Sequence, residues 1–460
     1  MVDNMEKLKF YLAMTAGKLS AVALRILGRN ATYMPGVIAL KICKNFIKYL
    51  QKPAHLICVT GTNGKTTTSN FITSVLKAAG HSVTNNSFGS NVQAGVAAAL
   101  LLNSTFTGKH KNEYAVIEVD ERSSLLVYPF MAPDYLICNN IMRDSMKRNA
   151  HTEFISYVIN SAVPETATIV LNADDIICSA LAPQCKNRVY FGVEAQKPAF
   201  APKAAADIVY CPKCGALLQA DYLRYNHIGR WHCTACDFGS PARDFTVTDI
   251  DRAGGTFTVM HADKAKTYRL VNDNITNVFN FCGAIALLTT LGIDDGKIAA
   301  GFENAEIVST RYNETAAGDL HITRILAKGQ NPVAVSGVFR YIAGRPEQNK
   351  CLLLIIDDKE DNINNSETTC WLNDLDYEPL KSPDISCMIF AGKRGHDHML
   401  RAAMTGIDTS KIILTEQIKN SSDLVDTETY KNIFILYDNY FLDEAIEEEK
   451  RLLERGEKRL

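Results

Sequence analysis

The order of apolar and polar positions along the chain predicts short buried strands, each followed by a turn and a helix. His55–Thr60 is dominated by apolar and β-branched residues and leads directly into a glycine-bearing turn, so we expect a buried strand there. The residues after the turn, Thr66–Ala79, have the pattern of a helix. Because strands and helices alternate, we expect α/β domains with parallel sheets.

The length of 460 residues is sufficient for roughly two to four domains. We expect an N-terminal helical segment over 1–52, a first α/β domain over 53–314 with an insert at about 208–240, and a second α/β domain over 315–460. The tail Asp443–Leu460 carries few apolar residues among many charges and predicts a solvated helix.

Composition and charge limit the classes of partner. Hydrophobic residues make up 47% and charged residues 22% of the chain, and the formal net charge of −2 offers no overall attraction for nucleic acid or for an anionic membrane. Basic residues interrupt the apolar N-terminal segment, so we expect a helix packed on the body and not a transmembrane segment; they are Lys7, Lys9, Lys18, Arg25 and Arg29. With thirteen cysteines and no export signal, we expect reduced thiols and a cytoplasmic protein.

The turn after the first strand has the composition of a phosphate-binding loop. Its sequence GTNGKTTT places two glycines before Lys65 and Thr66, where backbone N–H groups and a helix N-terminus would face an anion. Lys65 would reach the terminal phosphates of ATP, and the Thr66 hydroxyl would bind Mg²⁺. The standard pattern has a further glycine where this chain has Val59. The expected ATP-binding residues of the loop are Gly61, Thr62, Asn63, Gly64, Lys65, Thr66 and Thr67.

Four cysteines in the insert have the spacing of a zinc ribbon. Two Cys-x-x-Cys pairs, Cys211 with Cys214 and Cys233 with Cys236, are separated by eighteen residues. Because four thiolates fill a tetrahedral site, the expected Zn²⁺ is structural and not catalytic. A redox pair or a disulfide is the alternative. His227 and His232 lie in the same insert, and we expect both to be solvated and not to bind the metal.

The loop GTNGKTTT resembles the signature of the Mur ligase superfamily, whose ATP-dependent members activate a carboxylate as an acyl phosphate. In AVIEVDE (Ala115–Glu121), Glu118 matches the superfamily's magnesium-binding glutamate, and LNADD (Leu171–Asp175) matches its second strand-end motif. The resemblance places the nucleotide at the carboxyl ends of the strands, between domains.

Two further positions of the superfamily's nucleotide site have counterparts here. TNVFNFCGA (Thr276–Ala284) resembles the helix start near the base, with Asn277 and Asn280 at the matching positions, and Arg311 matches an arginine near the phosphates. Capping of the helix by Asn277 is an alternative explanation of that residue.

Within the superfamily the chain most resembles the MurT family, the ligase-like subunits of lipid II isoglutaminyl synthases. The four-cysteine insert is unusual for the amino-acid-adding Mur ligases, and the resemblance runs nearly end to end. The other segments that carry it are AGKLSAVALRILGRNATYMPGVIALKI (Ala16–Ile42), NNIMRDSMKR (Asn139–Arg148), LAKGQNP (Leu326–Pro332) and AGKRGHDHMLRAAMTGID (Ala391–Asp408).

The resemblance implies a reaction and a partner. A protein of this family binds ATP and a lipid-linked muropeptide at the inner face of the membrane and phosphorylates the α-carboxylate of its D-glutamate, and ammonia then displaces the phosphate to give D-isoglutamine. The ammonia comes from a separate glutaminase subunit (GatD-like, of the class I glutamine amidotransferase type). An acidic residue of the C-terminal domain is expected to complete the glutaminase's Cys-His triad.

Two departures from the family's motifs affect these expectations. The acidic stretch DDKEDNINNSETTCWLNDLDYE (Asp357–Glu378) is longer than the family's, and Thr368 stands where an aspartate is expected, so the triad acid is Asp374 or Glu367 or is missing. In NNIMRDSMKR, Ser145 and Lys147 replace a glutamine and an aspartate, which leaves the acceptor less defined than the nucleotide.

Three functions remain open from the sequence: the synthetase subunit of an amidotransferase, a stand-alone ligase that joins an amino acid to a carboxylate, and a degenerate scaffold that binds nucleotide without turnover. The presence of Lys65 and Glu118 argues against the scaffold. Copurification with a glutaminase-like protein would favour the first function over the second.

Overall fold

The computed structural model describes residues 2–86, 90–144, 151–194, 208–271, 274–303, 312–327, 329, 331–357 and 370–457. The chain divides into two compact units. The first takes the described residues within 1–142, 151–201 and 207–306, and the second takes those within 143–150, 202–206 and 307–460.

The first unit is built on a mixed sheet of nine strands among its described residues, in the order β11-β10-β9-β6-β5-β4-β1-β3-β2. Each neighbouring pair from β9 through β6, β5, β4, β1 and β3 to β2 is parallel. Strands β10 and β11 extend the sheet beyond β9 through antiparallel pairs. The insert forms a separate antiparallel hairpin, β7-β8. The strands are β1 His55–Thr60, β2 Val83–Asn85, β3 Tyr114–Glu118, β4 Tyr135–Cys138, β5 Thr168–Asn172, β6 Arg188–Val193, β7 Leu218–Tyr225, β8 Ile228–Cys233, β9 Phe245–Asp251, β10 Thr256–His261 and β11 Lys264–Arg269.

Several helices of this unit, α3 and α7 among them, pack on the sheet. The central strands β1, β3, β4 and β5 are almost wholly buried, as expected for parallel strands covered on both faces. The helices are α1 Val2–Ile26, α2 Met34–Ile42, α3 Lys65–Ala78, α4 Gln93–Leu102, α5 Ser124–Val127, α6 Thr152–Ala162, α7 Ile275–Thr290 and α8 Asp295–Glu303.

The N-terminal segment packs on the first unit. The Phe10 ring stacks on Phe46 with 5.3 Å between centroids, and the Lys18 ammonium donates to the carbonyls of Leu101 and Ser104. Helix α2 approaches α4 so closely that a Cβ on Gly36 would lie 1.8 Å from the Ala94 carbonyl oxygen. Among the described residues, none of the helices combines the length and the apolarity needed to cross a bilayer.

The second unit has a six-stranded sheet among its described residues, in the order β12-β13-β17-β14-β15-β16. Only the β12-β13 pair is antiparallel. Its elements are β12 Tyr312–Ala317, β13 Leu320–Leu326, α9 Pro332–Gly344, β14 Lys350–Ile355, α10 Cys370–Asn373, β15 Ile385–Ala391, α11 Gly395–Met404, β16 Ile412–Thr415, β17 Asn432–Tyr437 and α12 Leu442–Glu457.

The α/β fold with parallel sheets is as the sequence predicts, and β1 has the predicted bounds. Helix α3 begins at Lys65, one residue before the predicted start. The predicted domain boundary at 314/315 falls inside β12, which belongs to the sheet of the second unit, so the units separate upstream of that strand. Residues 304–317 contain no Gly or Pro, so no turn signal locates this point.

Candidate active site and metal centre

The turn between β1 and α3 has the backbone geometry of an anion-binding loop. Gly61 and Gly64 have φ values of +118° and +84°, a left-handed region that favours glycine. A Cβ on Gly64 would lie 2.1 Å from Oδ1 of Asn280, so α7 leaves no room for a side chain there. The loop therefore brings its amides to the N-terminus of α3, as the sequence predicts.

The Lys65 ammonium is held at this loop by two acceptors. Its Nζ lies 2.5 Å from the Gly61 carbonyl oxygen and 3.2 Å from Oε1 of Glu121. The Lys65 side chain is 11% exposed and the Glu121 side chain 2%, so little solvent screens the ion pair. The ion pair of Lys65 with Glu121 is not predicted from the sequence, although Glu121 ends the same acidic strand motif that contains Glu118.

Glu118 and Thr66 form the expected hard-cation donor set. The Thr66 hydroxyl donates to Oε2 of Glu118 over 3.0 Å, and the Ser69 hydroxyl donates to Oε1 over 2.9 Å. Asn86 exchanges two hydrogen bonds with the Glu118 backbone and fixes the end of β3. Hydroxyl and carboxylate oxygens are ligands that Mg²⁺ accepts, so the residues present fit this ion.

Two asparagines after β4 hold the phosphate loop from the neighbouring strand. The Asn63 amide donates to Oδ1 of Asn140 over 2.9 Å, and Nδ2 of Asn140 donates back to the Asn63 carbonyl over 3.2 Å. Nδ2 of Asn139 donates to the Thr68 hydroxyl over 2.9 Å. The role of these asparagines is not predicted from the sequence, although two polar residues directly after a buried strand are a signal of one.

The aspartates of LNADD attach the cysteine insert to the sheet. Oδ1 of Asp174 accepts a hydrogen bond from Nε of Arg243 over 2.7 Å and lies 2.7 Å from Nη2 of the same guanidinium. The Asp174 carbonyl accepts from the Gly229 amide at the start of β8. Burial raises the pKa of the Asp174 carboxyl, and the Arg243 guanidinium opposes that rise. Asp175 lies 3.0 Å from Nε2 of His227.

The four cysteine sulfurs converge at the base of the β7-β8 hairpin. All four Sγ atoms lie within 4.8 Å of one another, with 3.6 Å between Cys211 and Cys236 and 3.4 Å between Cys214 and Cys233. Four thiolates around one Zn²⁺ at about 2.3 Å would stand about 3.8 Å apart, so the quartet fits the ion with a small expansion. Backbone amides two residues on also point at the Sγ atoms of Cys211 and Cys233.

The prediction that both histidines of the insert are solvated is half wrong. His232 is exposed and pairs with Asp221, but His227 is 1% exposed because the hairpin folds its ring against the sheet. The indole N–H of Trp231 also donates to the His227 carbonyl over 2.8 Å. Neither histidine belongs to the cysteine quartet.

Of the other residues predicted for the site, Asn277 lies within the described part of the chain and Arg311 and Glu367 do not. Asn277 lies in the first turn of α7, one turn before Asn280 and so on the same side of the helix. It does not cap α7, because the capping side chain is that of Asn274. Arg311 and Glu367 lie outside the described residues, as do Ser145, Lys147 and Thr368.

Asp374 lies in the second unit at the end of α10. Its Oδ2 is 3.7 Å from an Arg143 guanidinium nitrogen, and Arg143 belongs to this unit. Two residues on, Asp376 pairs with Arg340 over 3.1 Å. In the same unit, Asp357 accepts from the amides of Lys393 and Arg394 in the AGKRGHDH segment.

Comparison with known proteins shows two family matches and several similar proteins. The Mur ligase middle domain family matches residues 59–217, and the MurT ligase C-terminal family matches residues 328–440. The subunit MurT of lipid II isoglutaminyl synthase (glutamine-hydrolyzing) from Staphylococcus aureus (strain COL) is 28% identical, over 97% of this chain and 99% of that protein. The chain is thus similar to a MurT protein over nearly its whole length.

A second MurT, from Streptococcus pneumoniae (strain ATCC BAA-255 / R6), is 29% identical over 93% of this chain and 94% of that protein. The chain therefore spans nearly the whole length of these MurT relatives. Among solved structures, a pseudomurein peptide ligase type C from Methanothermus fervidus superposes with a TM-score of 0.68 at 20% identity, over 89% of this chain and 81% of that one. This likeness supports the Mur ligase fold.

Proposed function

We propose that this chain is the ATP-dependent synthetase subunit of a lipid II isoglutaminyl synthase. It would amidate the α-carboxylate of the D-glutamate in a lipid-linked muropeptide, at the inner face of the membrane. The observation that carries the proposal is the cluster of Lys65, Thr66 and Glu118 at the strand ends of a chain that is similar to MurT over nearly its whole length.

The chemistry runs in two displacements. A carboxylate oxygen of the substrate attacks the γ-phosphorus of ATP, and ADP leaves, which gives an acyl phosphate. Ammonia then attacks the acyl carbon, and inorganic phosphate leaves with the C–O electron pair while a proton is released from nitrogen. Charge develops on the transferred phosphoryl group in the first step and on the acyl oxygen in the second.

The residues of the first unit suit the first displacement. The amides of the loop and the Lys65 ammonium would bind the phosphates, and Lys65 would exchange its contact with Glu121 for one with phosphate oxygens. Thr66 and Glu118 would hold Mg²⁺, which supplies positive charge beside the β- and γ-phosphates. Asn139 and Asn140 keep the loop in position. A Zn²⁺ at Cys211, Cys214, Cys233 and Cys236 would have a structural role only.

An amidation assay tests the proposal. The purified chain is incubated with muropeptide, ATP, magnesium and an ammonium salt, or with glutamine and the separately purified glutaminase. We expect isoglutamine and equimolar ADP in both reactions, and no product from glutamine without the glutaminase. Release of ADP that depends on an added amino acid, with no use of ammonia, would instead support the stand-alone carboxylate–amine ligase.

We also propose that Asp374 orients the histidine of the glutaminase. The residue lies half-buried in the region that matches the MurT C-terminal family, with Oδ2 3.7 Å from a guanidinium nitrogen of Arg143. Asp374→Asn should reduce glutamine-dependent amidation by about 10³- to 10⁴-fold and leave ammonia-dependent amidation unchanged. Asp376→Asn, in the same loop, is the matched control. Loss of the glutamine reaction on Glu367→Gln and not on Asp374→Asn would move the role to Glu367.

A further inference from the structure

Helix α1 has two apolar faces, of which only one is covered by the described residues. The covered face packs on the body through Phe10, Ala13, Met14, Gly17 and Ala21. The opposite face carries an apolar stripe whose side chains are between 51% and 80% exposed: Met5, Leu8, Leu12, Leu19, Val22 and Ile26.

The spacing of the apolar stripe is that of a helix face. Successive members are three, four or seven residues apart, so they align along about six turns of α1. Isolated exposed apolar side chains are ordinary on protein surfaces, but six on one face of one helix, interrupted at Thr15, are typical of a surface that binds something. The stripe continues at the end of the helix in Leu27, which is 72% exposed.

The segment that carries the stripe has a positive formal charge. Residues 1–29 contain five Lys or Arg and two Asp or Glu, so the formal charge of this segment is +3 in a chain whose net charge is −2. The remainder of the chain is accordingly acidic. Lys7 near the start of α1, and Arg25 and Arg29 near its end, are exposed beside the apolar stripe.

These features fit one occupant, the surface of an anionic phospholipid membrane. A helix that lies in the interface needs an apolar face to enter the acyl boundary and basic residues to meet the headgroups, and α1 supplies both. A second copy of the chain fits less well, because it would bring two positively charged segments together. Crossing the membrane is not required, since the other face of α1 is already packed on the protein.

We propose that the apolar stripe of α1 docks this protein on an anionic phospholipid surface. The inference rests on the proposed function for its purpose, since a lipid-linked substrate would be met at that surface. Docking by α1 would confine the first unit near the headgroups and raise the effective concentration of the muropeptide at the active site.

Vesicle flotation tests the docking without nucleotide or muropeptide. The whole chain is mixed with vesicles of phosphatidylcholine alone or with vesicles that also contain phosphatidylglycerol. We expect about tenfold more bound protein on the anionic vesicles, with a decrease at high salt. Leu12→Gln with Leu19→Gln should reduce that binding about tenfold. The matched control is Leu217→Gln with Leu400→Gln, whose side chains are 55% and 60% exposed, against 55% and 64% for the stripe pair.

Three results would overturn the docking: no binding of the unchanged protein to anionic vesicles, equal binding by the stripe and control variants, or a dimer in solution that the stripe variant abolishes. Amidation separates this proposal from the proposed function. The stripe variant should retain activity on a lipid-free muropeptide and lose it on a vesicle-borne one. If vesicle binding fails while both substrates are amidated, only the docking is wrong.

Discussion

His227 and Asp175 form a buried pair, with 3.0 Å between Nε2 and Oδ1, that joins the cysteine insert to the central sheet. Because a carboxylate only accepts, the imidazole donates through Nε2. The same carboxylate accepts from the amides of Ile141, Ile177 and Cys178. Ile141 follows Asn140, which contacts the loop between β1 and α3, so one carboxylate connects the insert to the proposed ATP-binding residues.

Removal of the imidazole should therefore affect both regions. His227→Ala leaves a cavity and a buried carboxylate with one donor fewer, and we expect the free energy of unfolding to fall by about 3 kcal/mol. Nucleotide affinity should also fall, because the segment after β4 loses its fixed position. Urea unfolding and calorimetry with ADP measure the two effects.

His232→Ala is the matched control for this prediction. His232 lies in the same hairpin and also pairs with an aspartate, but its side chain is 49% exposed. An exposed pair contributes about 0 to 1 kcal/mol, so little change is expected. Equal losses in the two variants would mean that the pair with Asp175 has no special importance.

The parts of the site that the sequence predicts are those whose residues are close in the chain. The phosphate loop and the two cysteine pairs are local patterns, in which spacing alone limits the geometry. The contacts of Lys65 with Glu121 and of His227 with Asp175 join residues 56 and 52 positions apart. Which distant residues meet depends on the order of strands in the sheet, and that order is not encoded in any local pattern.

The choice of which apolar face of α1 is buried illustrates the same limit. Basic residues in the N-terminal segment correctly predict a helix packed on the body, but two apolar faces cannot be ranked from periodicity alone. Packing against α2 and α4 decides that Met14 is buried and Leu12 is exposed. The exposed face could be recognised only after the covered one was known.

Loss of the Lys65 ammonium should abolish ATP turnover. Lys65→Ala removes the cation that would balance the charge on the transferred phosphoryl group, and we expect a decrease of at least about a thousandfold in amidation. Lys77→Ala, at the exposed end of the same helix, is the control and should retain activity. Retained turnover in Lys65→Ala, with the fold intact by circular dichroism, would refute the assignment of the loop.

A methyl group at Gly64 should block nucleotide binding. Gly64→Ala combines a left-handed φ with a clash against the Asn280 side chain, so the loop or α7 must move. Gly80→Ala carries a similar strain at φ +95° but meets nothing within 4 Å. Both variants should lose about 1 kcal/mol of stability from the backbone, and only Gly64→Ala should lose binding of ADP in calorimetry.

Metal analysis should find one zinc per chain. Cys211→Ser with Cys214→Ser removes half of the thiolates, and we expect loss of the metal and a lower unfolding temperature. Cys282→Ser, at a buried cysteine outside the quartet, should keep the metal. An absence of zinc from the unchanged protein, purified without chelator, would remove the structural metal from this proposal.

The second unit contains a histidine that folding keeps neutral. The Tyr377 hydroxyl donates to Nδ1 of His398 over 2.5 Å, and Nε2 donates to the Ile356 carbonyl over 3.0 Å. Both ring nitrogens are thus used by the neutral imidazole. Burial lowers the pKa of His398 to about 4, from the ordinary value of 6.5.

This lowered pKa makes the stability of the second unit depend on pH below neutrality. Between pH 6.5 and about 4 the unfolded chain binds a proton at His398 that the folded chain does not, so stability is fully present above 6.5 and falls as the pH decreases. The loss over this window should reach about 3 kcal/mol. His398→Gln should be less stable at pH 7 but should show a shallower dependence on pH in urea unfolding. The same steepness in both proteins would assign the acid sensitivity to other groups.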